Sequence, residues 1–176
     1  MTDRTKYITL SAPFIAMGIL FPILFHSIGL GPMFLPMFWP VVISAFFLPI
    51  PYIVAVGILT PLLSSFMTGM PPPPILYKMI FELGILSVVL GYLYKSTRYG
   101  VFWLILLGLI IAIFAGFVGS IIIAPLFGLP PEFYAAASLL KSVPGFLSML
   151  VLLPIIVKRI KHETIFGLRK CDDKGS

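Results

Sequence analysis

Lys78 and Glu82 are the first charged side chains after Lys6, and they stand four residues apart at the head of an apolar segment. At that spacing they share one face of a helix. A charge facing lipid costs on the order of 2.5 kcal/mol or more by insertion scales. The pair must therefore face a bundle interior, a cavity or the outer interface. Two readings follow. In one, the pair neutralises itself near the membrane surface. In the other, Glu82, deeper by a turn, lines a cavity that binds a ligand. Lys141 is a third charge of the same kind, with no acidic residue within four positions and with Ser138 and Gly145 at −3 and +4. It lies roughly 13 Å along its helix from Glu132 at 1.5 Å per residue, a long reach for a snorkelling lysine. Lys78, Glu82 and Lys141 together leave one net positive charge, a field suited to a ligand with a carboxylate or other electronegative group.

The elements that must position these groups are set by composition. The chain has 176 residues, is 60% hydrophobic and 10% charged, and has a mean hydropathy of +1.12. Soluble domains carry roughly 25% charged residues. The apolar runs are continuous rather than alternating, which excludes a transmembrane barrel. The expected fold is an all-α integral membrane protein, a bundle of six transmembrane helices.

A span needs about 20 apolar residues. The six expected segments are Tyr7–Ser27, a short and tilted or partly re-entrant Leu35–Leu48, Pro51–Thr68, Ile75–Tyr94, Gly100–Phe127 and Glu132–Lys158. Pro49 and Pro51 set a turn between the second and third. The first segment reads as a retained helix, since it is long for a signal sequence and no A-x-A-like site follows it. Residues 1–162 form the membrane domain and residues 163–176 a polar tail.

The formal charge of +6 does not imply nucleic acid. Ten of the twelve Lys and Arg residues fall at segment ends: Arg4 and Lys6; Lys95 and Arg98; and the run from Lys158 to Lys174. That is positive-inside patterning, and it places both termini and the loop at Lys95 in the cytoplasm. The connections 27–34, 69–74 and 128–131, rich in Gly and Pro, then lie outside.

Several residue types could build the walls of a site. Met37, Phe38, Trp39 and Met70 are apolar or stacking candidates, and Ser64, Ser65 and Thr68 are polar ones. His26, near the outer end of the first segment, reads first as an interface residue. Ala12 and Ala16 form an A-x-x-x-A face, and Gly108, Ala112, Gly116 and Ser120 form a small-residue stripe at spacing four. Such faces let helices approach closely. There is no P-loop, no H-E-x-x-H and no serine beside a plausible base, so neither ATP hydrolysis nor other catalysis is expected. The single cysteine, Cys171, can form neither an internal disulfide nor a Cys-based metal site.

The runs LPMFWPVVISAFFL (Leu35–Leu48) and PLLSSFMTGMPPPP (Pro61–Pro74), MIFEL around Glu82 and SVPGF at Ser142–Phe146 resemble the S component of energy-coupling factor vitamin transporters. The likeness extends from about Thr5 to Lys161. It departs at Phe38, where related sequences often carry histidine. The resemblance implies a six-helix protein of the prokaryotic cell membrane that captures a vitamin or related micronutrient from outside. It implies a membrane T component and two ATP-binding subunits as partners, in addition to the lipid bilayer, and no cofactor of its own. Ala12 and Ala16 match the family's docking motif. Glu82, Lys141, Lys78 and Ser138 would then be polar ligand contacts, with Trp39, Phe38, Met37 and Met70 as walls or lid. The net positive site tilts the expectation towards an acidic vitamin such as pantothenate. Pyridoxine-like, pyrimidine and cobalamin-precursor substrates stay open. So do two other classes, a structural or assembly subunit without ligand and a self-contained small transporter.

Overall fold

The computed structural model describes the backbone of residues 3–29, 31–96 and 100–172. It describes their side chains except at 3, 32, 33, 131–135, 137–139, 141 and 161–172. Every regular element among the described residues is helical: α1 (Asp3–Ser27), α2 (Gly31–Phe34), α3 (Phe38–Ser44), α4 (Ile50–Thr68), α5 (Ile75–Ser96), α6 (Val101–Ile123) with a 3-10 turn at Ala124–Phe127, and α7 (Pro131–Asp172). In a hydrocarbon solvent each backbone N–H and C=O must find its partner within the protein, and a helix does this within one segment.

The helix ends follow from local chemistry. Pro49 is extended, and Pro51 falls in the first turn of α4, where a missing N–H leaves no bond unmade. Gly69 closes α4 in the left-handed region at φ 72°, its N–H donating to the Ser65 carbonyl at 2.9 Å. That conformation is easy only for glycine.

Among the described residues five helices are long and apolar enough to cross a membrane, and they include segments of α1, α4, α5, α6 and α7. The second expected segment is different. It holds only seven-residue α3, which a break at Leu35, whose φ is 47°, separates from four-residue α2 before it. At 1.5 Å per residue α3 is about 10 Å long, a third of the hydrocarbon thickness. The last helix, α7, runs on into the polar segment that begins at Glu163.

Ring and glycine contacts fix the directions of the helices. Tyr7 meets Tyr52 with centroids 5.4 Å apart, and Gly18 packs on Thr60, so α1 and α4 run parallel. Ile50 lies on Gly91, and Leu83 and Ser87 lie on Gly57, so α4 and α5 are antiparallel. Leu90 lies on Gly108, Glu82 on Gly116 and Phe81 on Gly119, so α5 and α6 are antiparallel as well. Segment 31–48 carries the chain back between the two ends. Phe34 meets Phe25 at the C-terminal end of α1, and Phe46 meets Tyr94 at the C-terminal end of α5.

The core forms around α3. Phe38, Val41 and Val42 are fully buried, in one cluster with Ile53 and Val56 of α4, Leu83 and Leu86 of α5, Ile105 of α6 and Met149 and Leu153 of α7. The long helices turn their other faces outward, as Phe66, Phe114 and Leu147 do. That explains why α1, α4 and α6 are apolar all round, as spans are.

One buried group is left over. The Thr60 hydroxyl, packed on Gly18, is fully enclosed and has no hydrogen-bond partner among the described residues. An unmet buried hydroxyl costs about 1–3 kcal/mol. Thr60→Val keeps the shape and removes that cost, so it is expected to raise the unfolding temperature in detergent. A lowered temperature would show that the hydroxyl is bonded.

Candidate functional site

The site is assembled on the first two turns of α5. Lys78 Nζ lies 3.8 Å from Glu82 Oε2, with the side chains only 12% and 7% exposed. That separation is an ion pair but too long for a hydrogen bond. Glu82 sits deeper and is buried.

α6 supplies the surface beneath the carboxylate. A Cβ on Gly116 would lie 2.5 Å from Glu82 Oε1, 2.7 Å from Cδ and 3.0 Å from Oε2. The carboxylate thus rests directly on the Gly116 backbone. One turn on, the buried Ser120 hydroxyl donates to the Gly116 carbonyl at 2.7 Å. The small-residue stripe predicted for close packing runs along this contact: Gly108 lies under Leu90, Ala112 is buried, and Gly116 lies under Glu82. Gly116 is a member of the site although it carries neither charge nor ring, and Ser120 bonds its carbonyl one turn on. Their spacing-four pattern was the available signal.

Above the pair, the turn at 69–74 is tied to the end of α4. Ser64 Oγ donates to the Met70 carbonyl at 2.9 Å and Ser65 Oγ to the Pro71 carbonyl at 3.0 Å. Thr68 Oγ1 donates to the Ser64 carbonyl at 2.7 Å and accepts the Met70 N–H at 3.2 Å. Ser64, Ser65 and Thr68, expected as polar pocket groups, are committed to holding this turn. Prolines 71–74 have no N–H to hold it with, so side chains of α4 take that part. The double variant Ser64→Ala/Ser65→Ala is expected to lose about 1 kcal/mol per bond. Limited proteolysis at the turn should accelerate accordingly; an unchanged cleavage rate would deny the two bonds their role.

The remaining expected residues divide into three groups. Phe38 and Met37 are buried in the core with Leu83, and Phe38 stands edge-on to Phe146 of α7 at 6.2 Å. Trp39 is partly buried and donates its indole N–H to the Phe34 carbonyl at 3.2 Å, which bridges the break between α2 and α3. Met70 is half exposed on the turn. The side chains of Lys141 and Ser138 lie outside the described residues. Ala12 and Ala16 are both exposed on α1, the least enclosed of the five long apolar helices. His26 is exposed, its ring against Gly31.

The fold is that of an α-helical, multi-pass membrane protein, with an ion pair on α5 whose buried carboxylate packs on α6. Comparison with protein families, characterised proteins and solved structures finds no match to this chain.

Proposed function

We propose that the chain is the substrate-binding membrane subunit of an energy-coupling factor importer, which captures a vitamin or related micronutrient from outside and delivers it inward. The observation that carries this reading is the Lys78–Glu82 pair. It is buried just below a side-chain-stapled turn, and no hydrogen bond from a described residue reaches Glu82. A buried carboxylate without donors is expensive unless something supplies them. Small-ligand sites combine an apolar surround with a few placed polar groups.

Six passes complete the reading, with α2 and α3 as the second pass and both termini in the cytoplasm of a prokaryotic cell. Its support is the return of segment 31–48 between the bundle ends and the positions of Arg4, Lys6 and Lys95 at one of them. The exposed Ala12 and Ala16 face on α1 is the proposed seat of a membrane T component, which in turn recruits two ATP-binding subunits. With Lys141 as the third charge, an acidic vitamin such as pantothenate is the favoured substrate.

A structural subunit without ligand is the second reading, favoured by the mutual neutralisation of Lys78 and Glu82. Mass spectrometry of small molecules that co-purify with the chain and its partners separates the two. A vitamin is expected, and Glu82→Gln and Lys141→Ala should each weaken its binding at least several-fold. Binding that survives both changes would remove the site, and uptake without any ATP-binding partner would remove the importer assignment.

A further inference from the structure

Glu82 packs on Gly116, a residue that the importer assignment does not use. The carboxylate of α5 lies against the Gly116 backbone of α6 with all three of its atoms within 3.0 Å of where a Cβ would stand. The hydrogen that glycine carries in that place is at best a weak donor. The Gly116 carbonyl accepts the Ser120 hydroxyl one turn on, at 2.7 Å. On its other side the carboxylate meets Lys78 through Oε2, at 3.8 Å. Oε1 therefore has a fixed seat and no donor among the described residues.

We propose that Gly116 is a positioning residue of the ligand site: its missing side chain seats Glu82 so that Oε1 stays available to a hydrogen-bond donor of the ligand. This rests on the ligand-binding reading above and narrows the substrate class. The ligand presents an O–H or N–H group to Glu82, beside whatever acidic group the lysines take. A methyl at position 116 displaces the carboxylate, and because that carboxylate is the far end of a side chain it can move without breaking the bundle.

Gly108→Ala is the control, since it adds the same methyl to the same α5–α6 contact but meets Leu90 instead. The probe is dicyclohexylcarbodiimide, which modifies carboxyl groups in apolar surroundings, with labelling at Glu82 followed by mass spectrometry on the full-length purified protein. Gly116→Ala is expected to change the labelling rate by about threefold or more, and Gly108→Ala to leave it unchanged. In a Glu82→Asp background, where the shorter side chain no longer reaches the seat, Gly116→Ala is expected to have no effect. Equal effects of the two alanine variants, or an equal effect of Gly116→Ala in both backgrounds, would overturn the assignment. Titration with pantothenate adds a second arm, in which Gly116→Ala weakens binding about tenfold and Gly108→Ala does not. If the wild-type protein binds no pantothenate, that counts against the favoured substrate, and the labelling result still decides the role of Gly116.

Discussion

Gly57→Leu is expected to prevent the bundle from forming. At this position α4 crosses α5 with the two backbones in contact. A Cβ on Gly57 would overlap the Ser87 hydroxyl and stand 2.9 Å from the Leu83 carbonyl oxygen. The hydroxyl belongs to a side chain already committed, donating to that same carbonyl at 2.7 Å. The carbonyl belongs to helix α5 and moves only if the helix moves. Overpacking of a fitted core costs about 1–3 kcal/mol, and here a whole side chain must enter. Association of membrane helices depends on such close approach, since lipid offers no hydrophobic gain for pairing. Gly57→Ala should show the smaller loss at the low end of that range. Gly84→Ala, on the other helix of the same crossing, meets, among the described residues, only Ile58 at 3.9 Å, ordinary contact. Alanine is a better helix former than glycine by about 1 kcal/mol, so that variant is expected to be neutral or stabilising. Thermal unfolding in detergent measures all three, and equal behaviour of the Gly57 and Gly84 variants would contradict the backbone contact.

These glycines mark how far the sequence could be read. The long apolar helices were legible because a span needs a continuous run of apolar side chains, and five such runs are plain. The shared face of Lys78 and Glu82 followed from helical spacing alone, and the structure pairs them. The stripe from Gly108 to Ser120 announced a close contact, but spacing does not name the partner. That its third member receives a carboxylate depends on the register of α5 against α6, which is a tertiary fact. Segment 35–48 was legible as short, but not in its surroundings, for a related reason. Its residues are apolar because α3 is surrounded by protein, and a buried short helix has the same composition as a lipid-facing one. Phe38 and Met37 therefore belong to the core cluster with Leu83 and Leu86. Ser64 and Ser65 read as polar groups in need of a role. Their partners are carbonyls six residues on, reachable only because the chain turns back at Gly69.

Lys78→Met is expected to destabilise the protein by about 3–5 kcal/mol, because it removes the cation paired with the buried Glu82 carboxylate. The side chains are 12% and 7% exposed, so solvent screens the loss little. The double variant Lys78→Met/Glu82→Leu behaves in the opposite way. Replacing a whole buried ion pair with apolar groups of similar volume is neutral or stabilising by about 1–4 kcal/mol. The double variant should therefore unfold at or above the wild-type temperature, while the single variant falls well below it. Additive losses in the two would show that Lys78 and Glu82 do not act as a pair. The same two proteins also separate the functional readings. If the pair serves only the fold, the double variant loses nothing, since two apolar residues hold the α5–α6 contact as well. Its retention of vitamin binding and of uptake with partner subunits would then sink the ligand assignment. If the pair serves a ligand, the double variant folds and binds nothing. That second outcome would leave ligand contact as the reason for a pair placed where charge is most costly.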